Sequence, residues 1–456
     1  MQQHIKIKQY LETVCGQIRC KKAHADIREE IGNHIADQKE AFMAQGMEEE
    51  TATLKAVEQM GDPVIVGTEL DRTHRPKPEG SIIALTALLL LAGIVIRFYT
   101  TPRESLGLPM FNRQLIFTLV GLGLMILCYY LDFTLLGKFP IVLFLSLAAL
   151  TILIIARTSP INGRHIYATY PLLLFPAVYA GIVYRMGNKG YPGIILCGVL
   201  FGIPFALSLA IPSVASAIVL ALSCLTILTA AIARNRFGVS RLYAFLLVYI
   251  PSMAVFLFFL HRIGGSLLER IATARLPFSD TMGSGYIENI IRQLLSGARL
   301  AGQGSLPETV SQAVPQLPGI SSDFLLAYSV HRFGWLAFVV VVLLMALFII
   351  RAFMLCLKQK SFLALLVSTA ITATLALQTV FYIVANLGLP IFSPLSLPLV
   401  SQGSSYLLVN MCLVGILLSV FRTGHFVKDR ERVGKSPANS FIKLEDGRLI
   451  IDFRPR

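Results

Sequence analysis

Residues 81–100 read "SIIALTALLLLAGIVIRFYT", with no acid, one cation (Arg97) near the far end, and otherwise apolar or small neutral side chains. Wound as a helix, a stretch of this length spans the roughly 30 Å hydrocarbon core of a bilayer, where a chain must satisfy its own backbone polar groups. Comparable runs recur at about 114–131, 136–156, 169–185, 192–211, 214–233, 242–262, 324–350, 361–387 and 404–421, which with 81–99 makes about ten membrane helices. Composition agrees, since 55% of the 456 residues are hydrophobic and only 14% charged. The expected fold is an all-α integral membrane protein. The opening stretch "MQQHIKIKQYLETVCGQIRCKK" is polar and charged and holds no cleavable signal peptide, so the first membrane helix is expected to act as the targeting signal.

Residues 1–76 read as a small soluble helical domain ahead of the spans. "IREEIGNHIADQKEAF" sets Ile27, Ile31, Ile35 and Phe42 on one helical stripe, the pattern of a three- or four-helix core, with a partner groove as the other reading. Gly46 ends that helix, "GDP" at 61–63 stops the next, and "DRTHRPKPEG" forms a basic, Pro-rich linker into a membrane domain at 81–422. Behind the spans, residues 423–456 form a tail in which "FIKLEDGRLIIDFRPR" alternates around Asp446-Gly447, the signal of a β-hairpin. Seven cysteines offer no disulfide framework, and Cys128, Cys197, Cys224, Cys356 and Cys412 read as buried free thiols in or beside apolar runs.

The net charge of +14 is no nucleic-acid signal, because residues 1–80 carry 14 acids against 11 Lys and Arg and the excess lies in the membrane part and the tail. Short loops and helix ends on one side hold Lys138, Arg185, Lys189, Arg234, Arg236, Arg241, Arg351, Lys358, Lys360 and Arg422, against Arg97, Arg103, Arg113, Arg157 and Arg164 on the other. That imbalance places both termini in the cytoplasm, with a long extracellular loop at 263–323 between helices seven and eight. Residues 81–422 contain only seven carboxylates, five of them in or beside that loop: Glu269, Asp280, Glu288, Glu308 and Asp323. The cations of the outer side are arginines, whose planar fork suits a phosphate-bearing lipid substrate or simply lipid headgroups. Within the loop, "GYIENIIRQLLSGARLAG" spaces Ile287, Ile290, Ile291, Leu294 and Leu295 as an amphipathic helix expected to lie on the membrane surface, and the Gly- and Pro-rich stretch after it is expected to be irregular.

Asp323, in "QLPGISSDFLLAYS" (316–329), stands at the mouth of the eighth helix. A carboxylate there has two readings. It is a general base that takes a proton from a sugar hydroxyl, or it is the N-cap of the helix that follows.

A longer pattern then enters. "NLGLPIFSPLSLPLVSQGSSYLLVNMCLVGILLSV" (386–420) resembles the signature of the SEDS family (shape, elongation, division, sporulation), which includes FtsW, RodA and SpoVE, through Asn386, Gly388, Pro394, Leu397-Pro398, Ser401 and Gly403-Ser404-Ser405. "NRQLIFTLVGLGLM", "RIATARLPFSDTMGSGYIENIIRQLLSGARLAGQG" and "QLPGISSDFLLA" are similar to further family segments in the same order, the last carrying the family's essential aspartate onto Asp323. The resemblance covers about 81–422, and the N-terminal domain separately resembles a permease prefix domain.

What the resemblance implies is a peptidoglycan glycosyltransferase that joins lipid II units outside a bacterial cell membrane, with undecaprenyl pyrophosphate as leaving group. Asp323 would be the catalytic base. Substrate contacts would fall to Arg164, Arg275, Gln293, Arg299, Pro398, Ser401, Ser404 and Ser405. Arginines, with or without a divalent cation such as Mg or Mn, would stabilise the departing pyrophosphate, and no resident metal site is expected. The implied partner is a class B penicillin-binding transpeptidase.

The chain also departs from the family pattern. Pro318-Gly319 replaces Pro-Glu, His331-Arg332-Phe333-Gly334 replaces Glu-Glu-Leu-Gly, the accessory Glu and Lys positions fall on Val178 and Gly181, and an acid has become Ser213. A catalytically inactive scaffold of a wall-synthesis complex is therefore the alternative. A coupled lipid or solute transporter ranks behind both, because the helices lack paired ionisable groups at mid-membrane.

Overall fold

The computed structural model describes residues 2–73, 78–100, 107–160, 165–211, 213–275, 286–308, 310, 314, 319–320, 322–389, 395–401, 404–427, 442–445 and 448–451. Four helices form the N-terminal domain: α1 (Gln2–Gln17), α2 (His24–Ala44), α3 (Glu49–Gln59) and α4 (Pro63–Thr73). Ile27, Ile31 and Ile35 lie in its core with Val14 and Ala56, and Phe42 packs against them, so the stripe closes a four-helix unit.

The membrane domain follows as α5 (Gly80–Thr100), α6 (Gly107–Tyr130), a short α7 (Leu135–Lys138), α8 (Pro140–Arg157), α9 (Thr169–Leu172), α10 (Phe175–Met186), α11 (Gly190–Ala210), α12 (Val214–Ala233) and α13 (Arg241–Arg275). Next come α14 (Tyr286–Ser296), α15 (Leu325–Phe333), α16 (Trp335–Leu357), α17 (Phe362–Asn386) and α18 (Ser404–Thr423). Among the described residues ten helices are long and apolar enough to cross a membrane, in agreement with the ten runs read from the sequence. Phe426, just past α18, packs against the core of the N-terminal domain. Both ends of the membrane domain therefore meet on one side, as an even number of crossings requires. The expected hairpin is present as β1 (Ile442–Glu445) paired antiparallel with β2 (Arg448–Ile451), Glu445 opposite Arg448; Asp446 and Gly447 lie outside the described residues.

Burial ranks the helices. The span of α9 and α10 is 78% buried and that of α17 72% buried, so these form the centre of the bundle, whereas the α13 span is only 11% buried and faces lipid. At 35 residues, α13 is about 52 Å long at the ordinary helical rise, and its last turns pass beyond the hydrocarbon core. α18 runs along α6 with Gly415 against the Met125 backbone, the small-residue contact that lets membrane helices approach closely.

Three expectations are corrected. The eighth helix does not run unbroken over 324–350: it divides at Gly334 into α15 and α16, and α16 continues to Leu357. Gly334 adopts φ +95°, and a Cβ there would stand 2.6 Å from the Leu300 carbonyl oxygen. The chain from Arg299 to Gly304 pairs with this kink through Trp335 N–H to Arg299 O, Gly302 N–H to Phe333 O and Gly304 N–H to His331 O. The stretch carries no regular helix or strand over 297–307, as expected, and its backbone is nonetheless held where it meets α15. The fourth span is also broken, at Leu173 and Leu174 between α9 and α10, because Pro171 and Pro176 lack the N–H that a continuous helix requires. Finally, α14 does not lie with its apolar face on lipid. Ile290, Ile291 and Leu294 are buried against Phe324, Ala327, Val310 and Val314, because α15 supplies a protein surface of matching shape.

Candidate active site

The turn that delivers Asp323 is built on Gly319. Its carbonyl accepts the N–H groups of Ser322 (3.0 Å), Asp323 (2.7 Å) and Phe324 (3.0 Å). Gly319 sits at φ +78°, a conformation L side chains rarely adopt, and a Cβ there would come within 3.2 Å of Asp323 Oδ2. The glycine in place of the family's glutamate is therefore a requirement of this turn.

The end of α17 then fixes the segment from the side. Asn386 Nδ2 donates to the carbonyls of Asp323 (2.9 Å) and Tyr382 (2.9 Å), while its Oδ1 accepts Ala327 N–H (2.9 Å). Tyr382 donates its hydroxyl to Ser322 O (3.3 Å) and accepts Leu326 N–H (3.3 Å). Both side chains are fully buried. The first N–H groups of α15 are thus capped from another helix, and α15 has no side-chain cap of its own. Asp323 itself is half-buried.

Arg292 of α14 donates from Nε and Nη2 to Gly388 O (3.3 Å each), which ties the loop to the end of α17. Aromatic rings also meet between α9 and α18. Tyr170 of α9 meets Tyr406 of α18 edge-on at 4.5 Å, and the Tyr406 hydroxyl lies 3.1 Å from Thr169 Oγ1. The charge of Asp323 reaches the hydroxyls of Tyr170, Tyr382 and Tyr406 as a lesser influence than their own burial. Further along α15, His331 is buried and its Nδ1 meets no hydrogen-bond partner among the described residues. Burial, and then the neighbouring Arg332, hold its pKa below the ordinary value.

The other positions expected to contact substrate divide. Arg164 lies outside the described residues, Arg275 ends α13 with its side chain undescribed, and Ser404 begins α18 likewise. Pro398 and Ser401 are buried, with the Ser401 hydroxyl donated to Leu397 O (3.1 Å), so the signature's serine braces its own turn. Ser405 is half-buried beside Tyr406. Gln293 donates to Asn289 Oδ1 (3.0 Å) on its own helix, and Arg299 is exposed at the pairing with Trp335. The accessory positions are closed: Val178 is core, a Cβ at Gly181 would overlap the Leu136 carbonyl, and Ser213 pairs with the Ser216 hydroxyl at 2.9 Å. Among the described residues no three His, Cys, Asp or Glu gather as a metal cage.

Sequence reasoning singled out Asp323 and passed over the three tyrosines its charge reaches. Tyr406 directly follows the Gly-Ser-Ser that was read, and Tyr170 lies in the stretch where the Gln-Pro-Ser-Glu pattern fails; an aromatic beside each was the available signal.

A family model described as cell cycle protein, FtsW/RodA/SpoVE, matches residues 80–425. The probable peptidoglycan glycosyltransferase FtsW of Xanthomonas oryzae pv. oryzae is 30% identical over 156 residues, 34% of this chain and 32% of that protein. The peptidoglycan glycosyltransferase RodA of Mycobacterium tuberculosis is 28% identical over 156 residues, 33% and 31% of the two chains. This chain therefore spans under a third of the length of either relative in these alignments. One chain of a solved peptidoglycan synthase complex, described as coordinating polymerization and crosslinking, has the same fold, with TM-score 0.60, 19% identity, and coverage of 76% of this chain and 98% of that one.

Proposed function

Because this chain belongs to the FtsW, RodA and SpoVE family of cell cycle proteins, we propose that it polymerises lipid II as a peptidoglycan glycosyltransferase. The observation that carries the reading is the half-buried Asp323, presented at the loop-side mouth of the bundle while its backbone is held by Asn386 and its helix is capped by Asn386 and Tyr382. A general base must be fixed within hydrogen-bond reach of the proton it removes. Asp323 takes the proton of the acceptor's sugar 4-hydroxyl as that oxygen bonds to the donor's anomeric carbon. The bond from that carbon to the pyrophosphate breaks, and undecaprenyl pyrophosphate departs with the electron pair. Arginines of the loop side, among them Arg299, would meet its charge, with any divalent cation carried on the phosphates.

The surplus of Lys and Arg on the terminal side supports an orientation with both ends in the cytoplasm of a bacterium and the Asp323 mouth on the outer face of the plasma membrane. A class B penicillin-binding transpeptidase is the partner that would cross-link the product. The closed positions at Val178 and Gly181 favour a second reading, a scaffold that recruits such a partner without turnover.

Polymerisation of labelled lipid II by the purified protein with its transpeptidase, wild type against Asp323→Ala, separates the two. Glycan chains from wild type, with a loss of about 10²- to 10⁴-fold in the variant, are the expected result for a general base. No polymer from a folded wild type would leave the scaffold.

A further inference from the structure

Cys128 of α6 and Cys412 of α18 are 284 positions apart in sequence, yet their Sγ atoms meet at 3.4 Å. Their surroundings differ from those of the other thiols of the membrane domain. Cys197, Cys224 and Cys356 are enclosed in the core, and Cys356 faces the hydroxyl of Thr372 rather than a second sulfur. Cys412 is only half-buried, and Cys128 lies in the last turn of α6, whose span is just 17% buried. Leu127 and Tyr130 of that turn are 61% and 69% exposed, so the turn borders lipid.

The backbones around the pair are close enough for a covalent link. The two helices run side by side in one direction: Gly121 lies against Met411, Gly415 against Met125 and Cys128, and the Ser419 hydroxyl donates to Leu131 O. Three residues past Cys412, a Cβ at Gly415 would stand 2.7 Å from the Cys128 Cβ. The helices are therefore within the short reach of a disulfide, whose Cβ atoms are about 4 Å apart. Bringing the sulfurs from 3.4 Å to the roughly 2.05 Å of an S–S bond is then mainly a matter of side-chain rotation. Small residues along a membrane seam also serve close packing alone. A packing seam asks only for small bulk, which alanine or serine supplies; two sulfurs in contact at a turn that borders lipid add a chemistry those residues lack.

We propose that Cys128 and Cys412 are a redox site in which two thiols close to one reversible disulfide. Both S–H bonds break as the S–S bond forms, and the two electrons and two protons pass to a lipid quinone, which leaves as the hydroquinone. A lipid-soluble oxidant is the class that fits, because the turn holding Cys128 borders hydrocarbon. A thiol reductant reverses the step by attack on either sulfur. The link ties α6 to α18, which begins at Ser404 and is followed by Phe426 in the core of the N-terminal domain. In the oxidised form α18 cannot shift along α6.

The test treats the reduced full-length protein in nanodiscs with a fully substituted lipid quinone, whose ring offers no position for thiol addition. A maleimide is added as the protein is unfolded. Two of the seven thiols are expected to escape alkylation, and mass spectrometry is expected to find the Cys128 and Cys412 peptides joined. Dithiothreitol should restore both thiols. Cys128→Ala and Cys412→Ala should each lose the joined peptide, and thermal unfolding of the reduced variants checks that the fold is intact. Quinone added only after unfolding should give about tenfold less of that peptide, because the fold no longer holds the sulfurs in contact. Full alkylation of all seven thiols after quinone, linkage to other cysteines instead, or equal linkage in the unfolded chain overturns the redox site and leaves the contact as packing.

Discussion

The end of α17 and the middle of α10 are both buried walls of one bundle, yet they solve burial in opposite ways. Around Asn386 and Tyr382 the wall is polar, and every hydrogen-bonding atom of the Asn386 amide that the geometry shows is spent on backbone of the α15 segment or of α17. Around Val178 and Gly181 the wall is apolar and shut, with α10 lying directly on the Leu136 backbone. Buried polar groups are tolerated only when partnered, and the first wall meets that condition with long-range bonds. The second meets it by containing no polar side chain at those positions. The chain has kept the apparatus that aims its carboxylate while closing the space where accessory charges would sit.

Four substitutions would break or sharpen that contrast. Gly181→Ala should have the largest effect: its Cβ overlaps the Leu136 carbonyl, forcing α10 off α7 at a cost of about 3 kcal/mol, the upper range for overpacking. Thermal unfolding in detergent checks it, and an unchanged melting temperature would show that the wall is looser than described. Asn386→Leu should come next, at about 2 kcal/mol, because it strands the Asp323 carbonyl and the Ala327 N–H. Polymerisation should fall with it even where the variant is folded, since Asp323 loses its aim. Tyr382→Phe removes one hydroxyl that both donates and accepts, and should cost about 1 kcal/mol.

The smallest effect should be a pH dependence at His331. Its folded pKa lies below the ordinary 6.5, chiefly through burial. Above about pH 6.5 the ring is neutral in both folded and unfolded chains, and it adds no pH dependence. As pH falls below that value the unfolded chain takes up a proton that the folded chain resists, so stability declines until the folded pKa is passed. His331→Gln should flatten this acid-side decline in melting temperature; an identical pH profile would mean that His331 does not titrate this way.

Much of the architecture was legible locally. The spans were set by apolar length, the N-terminal unit by the spacing of Ile27, Ile31 and Ile35, and the hairpin by alternation around Asp446-Gly447. Asp323 drew attention because a carboxylate is costly beside a membrane helix. Two of the expectations that failed share one cause. The eighth helix looked continuous because "LLAYSVHRFGWLAFVV" is apolar enough to run on, and Gly334 breaks it only because residues 299–304 arrive to pair with the freed backbone. Likewise α14 displays an amphipathic stripe that suits lipid and protein equally, and α15 decided between them.

Pattern and hydropathy in the sequence alone determined that this is a helical membrane protein of about ten spans with a helical unit before it. Both depend on near neighbours, so each residue's transfer energy can be summed along the chain. Tertiary structure alone decided that Asn386 and Tyr382 cap α15, that Tyr170 meets Tyr406, and that Gly181 leaves no room for a side chain. These contacts join residues from 45 to 236 positions apart, and nothing in a local window says which distant surface will close over it.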